Sequence, residues 1–228
     1  MKNQTLYTSM LKLGTFSVVV AGCCYFLIAI CALFSPKPIA SYVASSTYFE
    51  DFRSYEPYFI FLKYLMLLGN ISLIGFIVSV FHWKNRPSHA GFVLLTILAI
   101  VGLGIGMLQS ISDATTIPHL AKVYDNASEI LQHVIIAFGV ATPAIYILSI
   151  GLPGIWLIVF NITFRKKFSL PLFLSGLAWG LGCILTVFAH LFVVLPLIYL
   201  IAWGALLGVP IWTFCQSRYM LSEYRKSL

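Results

Sequence analysis

The 46 residues from Leu170 to Cys215 contain no Asp, Glu, Lys or Arg, and this run limits the fold more than any other feature of the chain. At about 1.5 Å per residue a single helix over it would reach roughly 69 Å, more than twice the ~30 Å hydrocarbon thickness of a bilayer. The run must fold back on itself. His190 and Pro196 mark the reversal, because proline cannot continue a helix yet starts one well. Two spans result, at about 170–189 and 196–215. Four further apolar runs lie upstream, at 13–34, about 58–81, about 91–109 and about 130–160.

Composition leaves little room for a water-soluble alternative. Of the 228 residues, 60% are hydrophobic and 9% charged, against about 45–50% and about 25% in an ordinary soluble domain. The mean hydropathy is +0.95. Such a chain cannot hide its apolar surface in one core, whereas outward-facing Leu, Ile, Val and Phe cost nothing in lipid. The expected fold is all-α: a polytopic membrane protein of six transmembrane helices forming one domain over residues 1–228. The first run follows Lys2 and Lys12 as a signal peptide would. It has 22 residues, however, beyond the roughly 7–15 of a cleavable apolar region, so a retained span is expected.

The loop charges give an independent test of that count. The formal net charge is +7, which in a soluble protein would suggest nucleic acid as partner. With six spans, Lys2, Lys12, Lys84, Arg86, Arg165, Lys166, Lys167, Arg218, Arg225 and Lys226 share one side with Glu223 as the only acid. Only four basic residues, Lys37, Arg53, Lys63 and Lys122, fall on the other side, with six acids. Retention of basic loops in the cytoplasm then puts both termini there. The expected partner is the lipid bilayer, with a homo-oligomer or a second membrane protein possible and no nucleic acid. The five cysteines lie in or at the end of apolar runs without a C-x-x-C pair, so neither a disulfide framework nor a zinc knuckle is expected, and no cofactor is implied.

Two outer loops are expected. Ser35–Pro57 is rich in aromatics, with Tyr42, Tyr48, Phe49, Phe52 and Tyr55, and fits a short helix lying at headgroup depth. Ser110–Glu129 holds most of the outer polar residues. Asp125 would cap the helix into the fourth span, and Glu129 would sit at the positive end of its dipole. Asp125, Glu129 and His133 are spaced to share one helix face, with Asp113 and His119 close in sequence. Carboxylates and imidazoles so placed could hold a divalent metal, although a wetted helix start is the plainer reading and metal binding stays open.

Within the spans, Asn70 lies deep in the second and Lys63 two turns nearer the outer side. Lysine near a helix end usually snorkels to water, and Asn70 is expected to bond across helices. Either could instead contact a solute, as intramembrane polar groups often do. Gln109 belongs to the same group of polar candidates. Gly102 with Gly106, Gly176 with Gly180 and Gly204 with Gly208 form small-x-x-x-small pairs, which let helix backbones approach closely. The fourth span carries Pro143 and the Gly151-Leu152-Pro153-Gly154 cluster. A proline kink is the simpler reading, and an unwound segment that frees carbonyl groups toward a solute is the other.

The six-span layout, the Gly151-Leu152-Pro153-Gly154-Ile155-Trp156 segment, the basic loop and Leu170-Pro171 resemble small bacterial membrane proteins grouped only as domains of unknown function. That resemblance implies a cytoplasmic (inner) membrane and transfers neither an activity nor a site residue. Three functional readings follow in order. The first is a glycine-packed six-helix bundle serving as a membrane subunit or scaffold, without catalytic residues. The second is a small-solute transporter or channel, with a site at the broken fourth span facing Asn70 and the third-span glycines. The third is a metal-dependent enzyme on the outer face. No nucleophile–base pair or serine motif supports catalysis.

Overall fold

A backbone in lipid must satisfy its own N–H and C=O groups, which leaves helices as the natural element for so apolar a chain. The structure, a computed structural model, describes residues 2–34, 49, 52–81, 90–139, 145, 147–192 and 195–227, with the backbone alone for 2–5, 32–33, 137–139, 190, 195–207 and 227. These residues are helical apart from turns, and no strand occurs among them. Helix α1 covers Lys2–Leu33, α2 Phe52–Val80, α3 Ala90–Tyr124 and α4 Glu129–Gly139. A π-helical turn over Ile147–Gly151 leads into α5, Leu152–Thr163, with Pro153 in its first turn. Helices α6, Leu170–Leu191, and α7, Leu195–Ser227, complete the chain.

Among the described residues, four helical stretches are long and apolar enough to cross a membrane: Leu6–Cys31, Phe52–Val80, Ala90–Tyr124 and Leu170–Ala189. Ile147–Thr163 forms a shorter apolar helix. The long helices and α5 close into a ring. Helix α1 packs on α2 and α7, α2 on α3, α3 on α5, α5 on α6, and α6 on α7. The π-turn adds contacts to α3, α5 and α6.

The two faces of α3 have a polarity inverted relative to a helix of a soluble bundle. On α3, Leu94, Ile97, Val101 and Leu108 point outward, and Leu108 is 70% exposed. Their spacing of three, four and seven marks one helix face. The opposite face carries Gly102, Gly106, Gln109, Ser110 and Asp113. On α3, small and polar side chains thus look inward and large apolar ones outward, as expected where lipid is the solvent.

Glycine sets the closest helix approaches. A β-carbon on Gly102 would lie 2.5 Å from the Leu148 carbonyl oxygen and 2.9 Å from Pro153 Cδ, so α3 presses directly on the π-turn. Between α5 and α6, a β-carbon on Gly180 would come within 3.0 Å of the Gly154 carbonyl oxygen. At one end of the ring, edge-to-face and tilted aromatics fill the interior: Phe76 contacts Trp156, Phe160 and Trp212, and Phe160 contacts Phe164 and Phe168. Such geometry adds to plain burial through the ring quadrupoles.

Two sequence expectations are corrected here. The third span was read as ending at Gln109, with a loop over Ser110–Glu129, whereas α3 continues through Tyr124. Its polar residues do not break the helix because they find partners within the bundle. Ser110 Oγ donates to the Gly106 carbonyl at 2.9 Å and Thr115 Oγ1 to the Ile111 carbonyl at 3.0 Å, while Asp113 meets a lysine of α2. The second correction concerns the first outer loop, whose aromatics were placed at headgroup depth. Phe49 and Phe52 are each 2% exposed, packed with Tyr55, Phe59, Ile117, Ala121 and Ile135 into a second core. Residues 35–48, with Tyr42 and Tyr48, lie outside the described residues.

Candidate solute cavity

The ring encloses a cavity of about 260 Å³, and all six of its helices contribute to the wall. Helix α1 supplies Tyr25. Helix α2 supplies Lys63, Met66, Asn70, Leu73, Phe76 and Ile77, a row of helical spacing covering about 21 Å of helix. Helix α3 contributes Leu103, Gly106, Gln109, Ser110 and Asp113. Ile145 and the π-turn residues Ser149 and Ile150 contribute, followed by Pro153, Trp156 and Leu157 of α5. Trp179, Cys183 and Thr186 of α6 and Val209 and Trp212 of α7 close the wall. The volume falls just below the roughly 300–1,000 Å³ common for small-molecule pockets, and the mostly apolar walls with a few convergent polar groups are of the kind such pockets have.

The charges gather at one end. Lys63 Nζ donates to Asp113 Oδ2 at 2.5 Å, and Gln109 Nε2 donates to Asp113 Oδ1 at 2.5 Å. The side chains of Lys63 and Asp113 are 21% and 15% exposed, so the pair is largely removed from solvent. The Lys63 ammonium also stands 5.1 Å from the centre of the Phe59 ring, an attraction of the cation–π type. Halfway along α2, Tyr25 Oη donates to Asn70 Oδ1 at 2.7 Å and joins α1 to α2. The neighbouring Gly106 brings α3 so close that a β-carbon there would lie 3.0 Å from Asn70 Nδ2.

The other end is aromatic. Trp156 Nε1 donates to Thr96 Oγ1 at 3.1 Å, both side chains being buried. Trp212 is fully buried, and its Nε1 makes no hydrogen bond within the protein. One turn further on, neither amide atom of buried Gln216 has a partner. A buried donor without a partner is costly in a folded protein, and Trp212 Nε1 is such a donor at the cavity's aromatic end.

The sequence-derived candidates divide sharply. Lys63, Asn70, Gln109 and Pro153 come together around the cavity. Lys63 points to a carboxylate instead of snorkelling alone. Pro143 lies outside the described residues. The outer-face group is dispersed. Asp113 belongs to the cavity, His119, Glu129 and His133 are exposed, and Asp125 pairs with Arg53 at 3.5 Å. The single face expected for Asp125, Glu129 and His133 is broken because α3 ends at Tyr124 and α4 starts at Glu129. Ser128, not Asp125, stands at that start, its carbonyl accepting from Gln132 N at 2.9 Å. Among the described residues no three His, Cys, Asp or Glu side chains converge as a metal site.

The glycines meet partners within this chain. Gly102 and Gly106 face the π-turn and Asn70, Gly176 lies over Asn161, Gly180 crosses Gly154, and Gly208 approaches Trp179. Gly204 lies in α7, with its surroundings outside the described residues. Sequence reading missed Tyr25, Trp156, Trp179 and Trp212 as wall residues. Tyr25, a hydroxyl at mid-span, was the one with a readable signal. Comparison with protein-family models, curated proteins and solved structures yields no match, so the chemistry of the cavity must carry the functional reading.

Proposed function

We propose that this chain is a six-span membrane protein with both termini cytoplasmic, and that it binds a small solute in its interior cavity for passage across the bilayer. The observation that carries the reading is the convergence of Lys63, Asn70, Gln109 and Asp113 on one cavity beside the π-turn. Bundles held together only for support gain nothing from leaving such space, since unfilled volume costs packing energy. A π-turn beside the cavity is a departure from regular helix of the kind frequent at functional sites. In this reading the α4–π-turn–α5 unit is the fourth span and α7 the sixth, which agrees with the segregation of basic residues in the loops. The Lys63–Asp113 end faces outward, and the Phe76, Trp156 and Trp212 cluster closes the cytoplasmic path.

Cysteine accessibility tests this directly. In a background with Cys23, Cys24, Cys31, Cys183 and Cys215 replaced, a charged thiol reagent applied from outside should label Gln109→Cys and Asn70→Cys. Leu108→Cys, on the lipid-facing side of the same helix, should stay unlabelled. Equal protection of all three positions would reject the reading. Labelling of a cysteine placed in the Arg165–Lys167 turn from outside would reject the topology.

A further inference from the structure

The mouth of the cavity holds one positive and one negative side chain in contact, and its formal charge sums to zero. Asp113 is fully engaged, with Oδ2 taking the Lys63 ammonium and Oδ1 the Gln109 amide. A largely buried pair of this kind is rarely explained by stability, because an apolar pair of similar volume usually serves as well. Nor is the pair needed to hold α2 against α3, which already meet closely where Gly106 approaches Asn70. What the pair supplies is both signs of charge at one end of a cavity whose other end is aromatic.

We propose that the cavity takes a zwitterion: a small molecule of no net charge whose carboxylate meets Lys63, whose ammonium meets Asp113, and whose apolar or aromatic body lies between them and Trp212. The inference rests on the solute-binding reading above. A singly charged ligand pairs with one side chain and strands the other in a place of low dielectric. A zwitterion exchanges one internal ion pair for two and leaves the Gln109 amide bond intact. A body of phenylalanine size then lies along Met66 and Asn70, the wall residues one and two turns from Lys63 on the way to the aromatic end.

Isothermal titration of the purified full chain in lipid nanodiscs tests this with four probes that share a phenyl body. L-phenylalanine carries both charges, 3-phenylpropionate only the anion, 2-phenylethylamine only the cation, and 3-phenylpropanol neither. Phenylalanine should bind, and the two singly charged probes should bind roughly 30-fold more weakly or worse, the loss typical of leaving a buried charge unpaired. The double variant Lys63→Met/Asp113→Leu keeps the volume and removes both charges. It should lose phenylalanine, keep 3-phenylpropanol and remain monodisperse. Phenylalanine binding to the double variant as to the parent would overturn the zwitterion assignment. Binding of 3-phenylpropanol without any of phenylalanine would also overturn it while sparing the cavity reading, and binding of no probe would count against both.

Discussion

Tyr25 and Asn70 tie the first two helices of the ring together through a 2.7 Å hydrogen bond from the tyrosine hydroxyl to the amide oxygen. The bond lies on the cavity wall, and its loss would leave the Asn70 amide oxygen without this partner. Tyr25→Phe should therefore lower stability by about 1 kcal/mol, within the range measured for hydrogen bonds between membrane helices. Reversible unfolding in mixed micelles reads that difference, and an unchanged midpoint would show that the bond carries no net stability.

Gly102 and Gly104 provide a matched contrast two residues apart. A β-carbon on Gly102 meets the Leu148 carbonyl and Pro153, whereas one on Gly104 meets nothing within 4 Å. Gly102→Ala forces a backbone shift at the π-turn and should cost about 1–3 kcal/mol. Gly104→Ala should be neutral or stabilising by up to about 1 kcal/mol, through the helix propensity of alanine. Equal effects of the two substitutions in the same unfolding measurement would contradict the packing described for α3.

The contact of Gly176 with Asn161 predicts a coupled pair. Any β-carbon at 176 would run into the buried Asn161 carboxamide, which is itself held by a 2.7 Å bond from Nδ2 to the Leu157 carbonyl. Gly176→Ala alone should be clearly destabilising. In an Asn161→Ala background the same substitution should cost at least about 1 kcal/mol less, since the clashing atoms are gone. A double-mutant cycle with no coupling would mean that α5 and α6 separate freely to admit the methyl group.

Removing one partner of the Lys63–Asp113 pair should be worse than removing both. Lys63→Ala or Asp113→Ala leaves a largely buried charge alone, which typically costs about 3–5 kcal/mol when burial is complete and less at the partial exposure seen here. The Lys63→Met/Asp113→Leu protein should lie close to the parent in stability. Thermal unfolding of the three variants side by side orders them, and a double variant less stable than either single one would make the pair a structural staple.

Beyond the apolar part of α7, burial pushes the Tyr219 hydroxyl up to about 12, helped by the negative charge of Glu223 and by Tyr7. The unfolded chain ionises this group near its ordinary value of about 10. Between those values the unfolded state binds fewer protons than the folded one, so stability falls as pH rises through that window and is fully present below it. Tyr219→Phe should flatten this part of the stability–pH curve, measured by denaturation at fixed detergent. An unaltered slope would place the loss in another group.

The inward polar face of α3 was only half legible. Gln109 and the glycines could be read as span residues, but Asp113 looked like the start of a loop because a lone carboxylate inside an apolar helix is expensive. Its partner Lys63 lies 50 residues earlier in the chain, and nothing local announces the pairing. Phe49 and Phe52 illustrate the same limit. Aromatic residues beside a membrane helix suit the headgroup region equally well, and their burial against Ile117 and Ile135 needs the helices to be placed first. The Gly151-Leu152-Pro153-Gly154 cluster was legible as a local irregularity, and it takes the form of a π-turn running into the first turn of α5 instead of an unwound stretch. Which carbonyl faced which glycine was not legible.

Local chemistry decided what the sequence could decide alone. Charge-free apolar runs far too long for water required helices with greasy exteriors, and the grouping of lysines and arginines indicated how those helices should be oriented. Only the packed ring determined that polar residues from separate helices face a common space, because which side of a rod looks inward depends on its neighbours. The cavity and its charge pair thus belong to the assembled molecule, where burial and long-range contact set the worth of each polar group.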